Sequence, residues 1–197
     1  MASKLTLVGI PSAVVGAAGV SAYSMGDNSK SLKKLKDLFD STEGRILLDA
    51  IGDKHDLVWQ QIVKEHGESS SKIKGVNSKE TLKAYCSRTA DSTNSGDLTV
   101  YSAWCSRNTF RAQMNSSTKK WNDSEVDTEW EKNKQAYSQE STENFLITKA
   151  GTQENIEKAS ITPQDLRDWC SKRALSPFIN TEDKDYLIAD KFCFKIQ

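Results

Sequence analysis

The chain has 197 residues, of which 37% are hydrophobic and 27% are charged, and its formal net charge is zero. This length suits one modest domain with short appendages. Because lysine and arginine are balanced by aspartate and glutamate, no basic field exists to attract a nucleic acid, and we expect no nucleic-acid partner.

The N-terminal segment carries no charged residue from Leu5 to Gly26. A helix that crosses a bilayer needs about 20 apolar residues. We therefore predict that residues 1–26 are a signal-anchor and that residues 5–26 bind the membrane. Two alternatives stay open. One is a cleavable signal peptide with Lys4 as its charged start and residues 20–22 as the cleavage site. The other is a buried Gly/Ala-rich segment in a soluble core.

The orientation of the body depends on two opposing features. Lys30, Lys33, Lys34 and Lys36 follow the apolar run, and the positive-inside rule would keep a body behind them in the cytoplasm. A cleavable signal would export it instead, and an even number of cysteines is compatible with an oxidising exterior. We predict a single-pass cell-membrane protein with an extracellular body. Secretion after signal cleavage and a cytoplasmic body are the alternatives.

Several helices are expected in the remaining chain. Residues 29–40 place leucines and a phenylalanine on one amphipathic stripe. Residues 46–51 form a short apolar segment, after which Asp53 can cap a helix that ends near Gly67. Further start signals are Ser78, the Ser124-x-x-Asp127 pattern, Thr162-Pro163-Gln164-Asp165 and Asn180.

A short phrase recurs along this helical region: an apolar or aromatic residue, two spacers, an aromatic residue and a cysteine. On a helix, positions i, i+3 and i+4 share one face, so the rings and sulfurs should face the core. The cysteine spacings of 19 and 23 residues suggest two versions of one helix–loop–helix unit. The copies are Leu82–Cys86, Tyr101–Cys105, Leu166–Cys170 and, more loosely, Ala189–Cys193.

Cys86, Cys105, Cys170 and Cys193 are candidates for disulfide bonds, with three pairings open. In a tight antiparallel hairpin, cysteines at the C-terminal ends of successive helices lie at opposite ends. This geometry disfavours the pairings 86–105 and 170–193, because bonded Cα atoms lie within about 7 Å. Long loops would restore them, and bonds between the two units are also open. Four reduced, buried cysteines are the other interpretation.

The predicted fold class is all-α: an N-terminal transmembrane or signal helix followed by a small helical bundle that contains the two candidate repeat units. The predicted segments are 1–26 as signal-anchor or signal peptide, 27–110 as the first helical unit, 111–160 as a polar linker with one helix, and 161–197 as the second helical unit.

Residues that could carry chemistry are few. His55 and His66 are the only histidines, and no nucleophile, phosphate-binding or zinc motif occurs. The acidic residues around His55 are expected at a helix N-terminus without any catalytic role. We predict no catalytic residue, no cofactor and no metal. An enzyme, such as a secreted hydrolase, would require His55 to meet a cysteine or a carboxylate in one cleft.

The Gly/Ala-rich apolar N-terminus, the segment LLDAIGDKHDLVWQQIVKEHG and the aromatic-Cys endings resemble the short paralogous uncharacterised proteins of haemotropic mycoplasmas. That resemblance implies a cell-envelope location with a role in antigenic diversity or host contact, and it brings no catalytic residues. The predicted function is therefore a non-enzymatic, membrane-tethered surface protein whose partner is a host protein or another copy of itself. A cytoplasmic-face interaction module is the first alternative, and a secreted hydrolase is the second.

Overall fold

A computed structural model describes residues 32–39, 44–115, 119–142, 145–149, 152 and 154–196. The predicted signal-anchor at 1–26 lies outside these residues. The prediction of a mainly helical chain is confirmed, and a two-stranded antiparallel sheet accompanies the helices. The elements are α1 Leu35–Phe39, β1 Arg45–Leu47, α2 Asp56–Glu68, α3 Lys79–Ala90, α4 Leu98–Cys105, β2 Ser106–Asn108, α5 Phe110–Met114, α6 Glu131–Gln139, α7 Pro163–Ala174 and α8 Lys184–Phe192.

Two local start signals operate as the sequence predicts. The side chain of Ser78 accepts a hydrogen bond from the backbone N–H of Thr81, and Thr162 does the same for Asp165 at the start of α7. In both, the third residue returns a bond to the capping residue, which satisfies two otherwise unpaired amide groups. Pro163 occupies the first turn of α7, where a missing N–H costs nothing.

Three other helix starts differ from the prediction. Helix α2 begins at Asp56, behind His55, and Asp53 does not cap it. Asp183 rather than Asn180 caps α8, because its carboxylate accepts the N–H of Tyr186. The hydroxyl of Ser124 accepts from a backbone N–H two residues on, so no capping box forms there.

The two pairs of cysteine-bearing helices have the same plan. Helices α3 and α7 each have 12 residues and begin with a capping box, whereas α4 and α8 have 8 and 9 residues. Cys86 and Cys170 each lie four residues before the end of their helix. Cys105 ends α4, and Cys193 immediately follows α8.

Buried apolar side chains form two clusters, here named the first core and the second core. The first core spans residues 35–105 and the second spans residues 110–194, so the junction falls at β2 and α5. Buried residues of the first core are Leu35, Leu48, Val58, Trp59, Ile62, Leu82, Cys86, Tyr101 and Cys105. Those of the second are Phe110, Met114, Trp121, Trp130, Tyr137, Ile147, Ile161, Leu166, Trp169, Cys170, Ala174, Phe178, Ile188, Ala189, Phe192, Cys193 and Phe194.

Residues 111–160, predicted as a polar linker with one helix, contribute large side chains to the second core. Trp130 and Tyr137 are fully buried, and the Tyr137 hydroxyl accepts the backbone N–H of Ile147. The buried amide of Asn133 donates to the carbonyl oxygens of Phe192 and Phe194, at 2.9 and 2.7 Å. The last part of the described chain is thus fastened to α6 by side-chain hydrogen bonds as well as by packing.

Arg107 on β2 connects the two cores. Its guanidinium binds both carboxylate oxygens of Glu65 on α2, at 2.6 and 2.8 Å. It also donates to the carbonyl oxygens of Phe178 and Ile179, which follow α7. A two-pronged arginine–carboxylate pair fixes distance and angle together, so this group holds α2 against the 176–180 segment.

Candidate functional site

All four cysteines are bonded in two disulfides. Cys86 pairs with Cys105 and Cys170 pairs with Cys193, with Cα–Cα distances of 5.4 and 5.5 Å. The four residues are 0–3% exposed. No cysteine is free, so none of them offers a thiolate to a substrate or a metal in this state.

The expectation that hairpin geometry disfavours these pairings is wrong because the cysteines do not both lie at helix ends. At about 1.5 Å per residue, the four residues after Cys86 cover about 6 Å of α3. Helix α4 is only 8 residues long, or about 12 Å. Its last residue, Cys105, therefore returns to within about one turn of Cys86. The same arithmetic applies to Cys170 and Cys193, where α8 has 9 residues.

A cleft of about 400 Å³ opens where the N-terminus of α2 faces the 173–185 segment. Apolar walls and charged groups alternate around it, as is common where ligands bind between structural units. Its lining residues are Asp53, Lys54, His55, Asp56, Leu57, Val58, Phe110, Arg173, Ser176, Pro177, Ile179, Asp183 and Asp185.

His55 lines this cleft together with the carboxylates of Asp53, Asp56 and Asp185, so the cleft is where the hydrolase alternative is tested. Its Nδ1 accepts the backbone N–H of Asp49 at 2.8 Å. Burial lowers the pKa of His55, and neighbouring Lys54 lowers it further. A neutral imidazole has one nitrogen with a proton and one with a lone pair. Because the lone pair of Nδ1 is already used, Nε2 carries the proton, and His55 presents a donor where a general base would be needed.

Ion pairs satisfy much of the cleft's charge. The carboxylate of Asp56 binds Lys79 at 2.6 Å and Lys83 at 3.1 Å, and these bonds lower its pKa. Arg173 pairs with Asp185 at 2.7 Å. Burial raises the pKa of Asp185, and Arg173 opposes that rise. Each of these ion pairs joins elements within one core, and the paired carboxylates Asp56 and Asp185 differ from unpaired catalytic acids.

His66 serves the first core in a similar way. It is 2% exposed, and its Nε2 accepts the backbone N–H of Ile73 at 2.8 Å. Its ring lies edge-on to Trp104, with centroids 4.7 Å apart. Burial lowers the pKa of His66 and so favours the neutral form that can accept this bond. The bond ties the loop after α2 back onto the helix.

The residues that the structure describes contain no group of three or more histidine, cysteine, aspartate or glutamate side chains placed to hold a metal ion. In the same part of the chain, no helix combines the length and the apolar character needed to cross a bilayer.

Half of the cleft could be anticipated from the sequence. The cluster around His55 stands out in the chain, and the structure shows that its ring nitrogen accepts a backbone N–H. The opposite wall comes from residues more than 100 positions away, and no local pattern marks Arg173 or Asp185 as its neighbours. Arg107 was missed for the same reason, since its partners at 65 and 178–179 are distant in sequence.

Comparison with known proteins gave no match: no family model, no curated protein and no solved structure is significantly similar to this chain.

Proposed function

We propose that this chain is a non-enzymatic protein of the cell surface, tethered to the membrane by residues 5–26 and exposing its helical body outside. The observation that carries the proposal is the pairing of all four cysteines in buried disulfides. Disulfides persist in oxidising surroundings and are rare in the cytoplasm. A contact with a host protein or with another copy of the chain is the role that this location favours.

The non-enzymatic character is supported by the state of the reactive residues. The cysteines are bonded, and both histidines use a ring nitrogen to accept a backbone N–H. Two of the cleft carboxylates, Asp56 and Asp185, are engaged in ion pairs, which supports the same interpretation.

We further propose that α3–α4 and α7–α8 are two versions of one helix–loop–helix unit. The shared capping box, the 12-residue first helix and the matching cysteine positions support this duplication. The unit would supply a rigid, cross-linked frame from which the loops at the junction project.

The cytoplasmic-face alternative rests on the lysines that follow the apolar run. Two of them, Lys34 and Lys36, pair with Asp91 at 2.9 Å. Those two ammonium groups are therefore partly neutralised by the chain itself, which weakens the case for their binding to anionic lipid.

The state of the cysteines can be measured in intact cells that make the full chain. Free thiols are first blocked with a membrane-permeant alkylating agent, and the protein is then denatured with and without a reductant and labelled with a second agent. We expect label on the four cysteines only after reduction, located by mass. If the cysteines were thiols in the cell, the first agent would block them, and the second label would be absent even after reduction. That result would contradict the proposal.

Protease added outside the same cells tests orientation independently. We expect the body to be degraded only after the disulfides are reduced or after prolonged digestion, because its core is cross-linked. A variant with a protease site inserted after Ser70, in the exposed stretch 70–72, should be cut quickly. Full protection of that variant in intact cells, with cutting after lysis, would favour the cytoplasmic face.

A further inference from the structure

The loop that joins α2 to α3, residues 69–77, is held against the body at one point in its middle. There the backbone N–H of Ile73 donates to Nε2 of His66 at 2.8 Å. Among the described residues, no other hydrogen bond or ion pair joins residues 70–76 to the helices. Ile73 and Val76 add partly buried apolar contacts with the first core. The closed position of the loop therefore depends on one polar bond and a small amount of packing.

That bond requires a neutral imidazole. A ring nitrogen accepts a hydrogen bond only through its lone pair, and in the protonated ring both nitrogens carry hydrogen. A proton on Nε2 would point at the N–H of Ile73 and would leave two donors facing each other. His66 is also 2% exposed while the loop is closed, and a buried charge without a partner is costly. Protonation of His66 and closure of the loop therefore oppose each other.

The charged groups around the ring do not compensate for a proton. Burial lowers the pKa of His66, and Lys72 of the loop lowers it further. From α4 the ring meets Trp104, and the only titratable side chain of that helix is Tyr101, whose pKa is raised by burial. On α3, Lys79 and Lys83 are bound to Asp56 at the opposite end of α2. Glu65 on α2 is bound to Arg107 on β2. The remaining charged side chains of α2, α3 and the loop are exposed, namely Lys64, Glu68, Lys74, Glu80 and Arg88.

An open loop would give the charge a favourable position. His66 lies in the last turn of α2, where the partial negative charge of a helix end favours a cation. Opening also lets water reach the ring, which removes the cost of burying the charge. The open loop thus favours the protonated ring, and the closed loop favours the neutral ring.

We propose that residues 69–77 form an acid-released strap, which covers His66 and the adjoining edge of Trp104 at neutral pH and opens as the pH falls below about 6.5. Opening would uncover the apolar side chains of Ile73 and Val76 together with Trp104. The chain has histidines only at 55 and 66, so the second core, which begins at residue 110, contains no imidazole that could respond in this range. The strap would work in the same way on either side of a membrane.

Amide hydrogen exchange of the full chain tests the strap. Exchange is measured at about pH 7.5 and about pH 5 and is corrected for the intrinsic effect of pH on exchange rates. If the ring titrates near 6.5 when the loop is open and well below that value when it is closed, protection of the Ile73 N–H falls by up to about 30-fold. We expect a fall of at least about tenfold. The N–H of Ile147, bonded to the Tyr137 hydroxyl in the second core, is the internal control and should keep its protection.

Two matched variants separate the strap from a general effect of acid. His66→Gln keeps a side-chain carbonyl that can accept the Ile73 N–H at any pH, so the fall should disappear. His55→Gln removes the other histidine, whose ring accepts the Asp49 N–H before α2, and should retain the fall at Ile73. Circular dichroism reports whether each variant folds.

An NMR titration of the wild-type imidazole provides the same test if His66→Gln does not fold. Its midpoint should coincide with the midpoint of the change in Ile73 exchange. The proposal would be overturned by unchanged protection at Ile73, by an equal fall at Ile147, by a fall that persists in a folded His66→Gln, or by midpoints that differ.

Discussion

Replacing each cysteine pair by alanine tests how the two disulfides stabilise the chain. The sequence separations are 19 residues for Cys86–Cys105 and 23 for Cys170–Cys193. In the chain-entropy description, closing loops of these lengths removes about 11 cal/mol/K from the unfolded state. At 25 °C this corresponds to about 3.2 kcal/mol for the first bond and about 3.4 kcal/mol for the second.

We expect the two double-alanine variants to be destabilised by similar amounts, about 3 kcal/mol each. Because the bonds lie in separate cores, their effects should be close to additive. Removal of both would then cost about 6–7 kcal/mol, which is comparable with the entire stability of many domains. The variant without any cysteine should therefore be largely unfolded or only partly folded at 37 °C.

Urea unfolding followed by tryptophan fluorescence measures these quantities, since Trp59 reports on the first core and Trp130 on the second. The dependence of unfolding free energy on urea should also steepen in each variant, because an unfolded chain without cross-links exposes more surface. Losses below about 1 kcal/mol in both pair variants would refute the reasoning. A large loss in only one would show that strain or packing, rather than loop length, determines the effect.

Three further outcomes can be measured by urea unfolding. Because the pKa of His66 is lowered by burial, the stability that its neutral form provides is present above pH 6.5 and is lost as the pH falls below that value. His66→Phe should flatten the dependence of unfolding free energy on pH in this range, and an unchanged slope would contradict the prediction. Hydrogen bonding to Lys191 lowers the pKa of Glu140 to about 2, so its stabilisation should persist above pH 4.5 and fade toward pH 2, with Glu140→Gln as the non-titrating control. Gly44→Ala and Gly52→Ala both place alanine at a positive φ, 76° and 75°, but only at Gly44 would the new Cβ lie 2.6 Å from a side-chain carbon of α5. Gly44→Ala should therefore be the more destabilising by at least about 1 kcal/mol, and equal losses would contradict the clash.

The features that the sequence predicts well are those determined within one or two helical turns. The caps at Ser78 and Thr162 need only a hydroxyl, an amide three residues on and a returning side chain, so the pattern is visible in the letters. The inward-facing cysteines follow in the same way from positions i, i+3 and i+4.

The sheet could not be predicted in this way. Its strands have three residues each and lie about 60 positions apart, which is too short for a period of two to be recognised. The surroundings of Arg45 also arise from tertiary contacts alone. Burial lowers the pKa of its guanidinium, and nearby Arg107 lowers it further. The cleft has the same origin, since His55 and Arg173 become neighbours only when both cores have formed.

The bonds from Asn133 to the carbonyls of Phe192 and Phe194 mean that the second core can be completed only late in synthesis of the chain. The buried residues of the first core have all been made at Cys105, although Ile179 packs against them later, whereas those of the second core continue to Phe194, almost 90 residues after Cys105. At about 5–20 residues per second, synthesis of that interval takes roughly 4–18 s. During that time Cys86 and Cys105 are both present and can form their disulfide, whereas Cys170 has no partner until Cys193 has been made. Pairing of neighbouring cysteines in order of emergence would then give the native connectivity without any reshuffling.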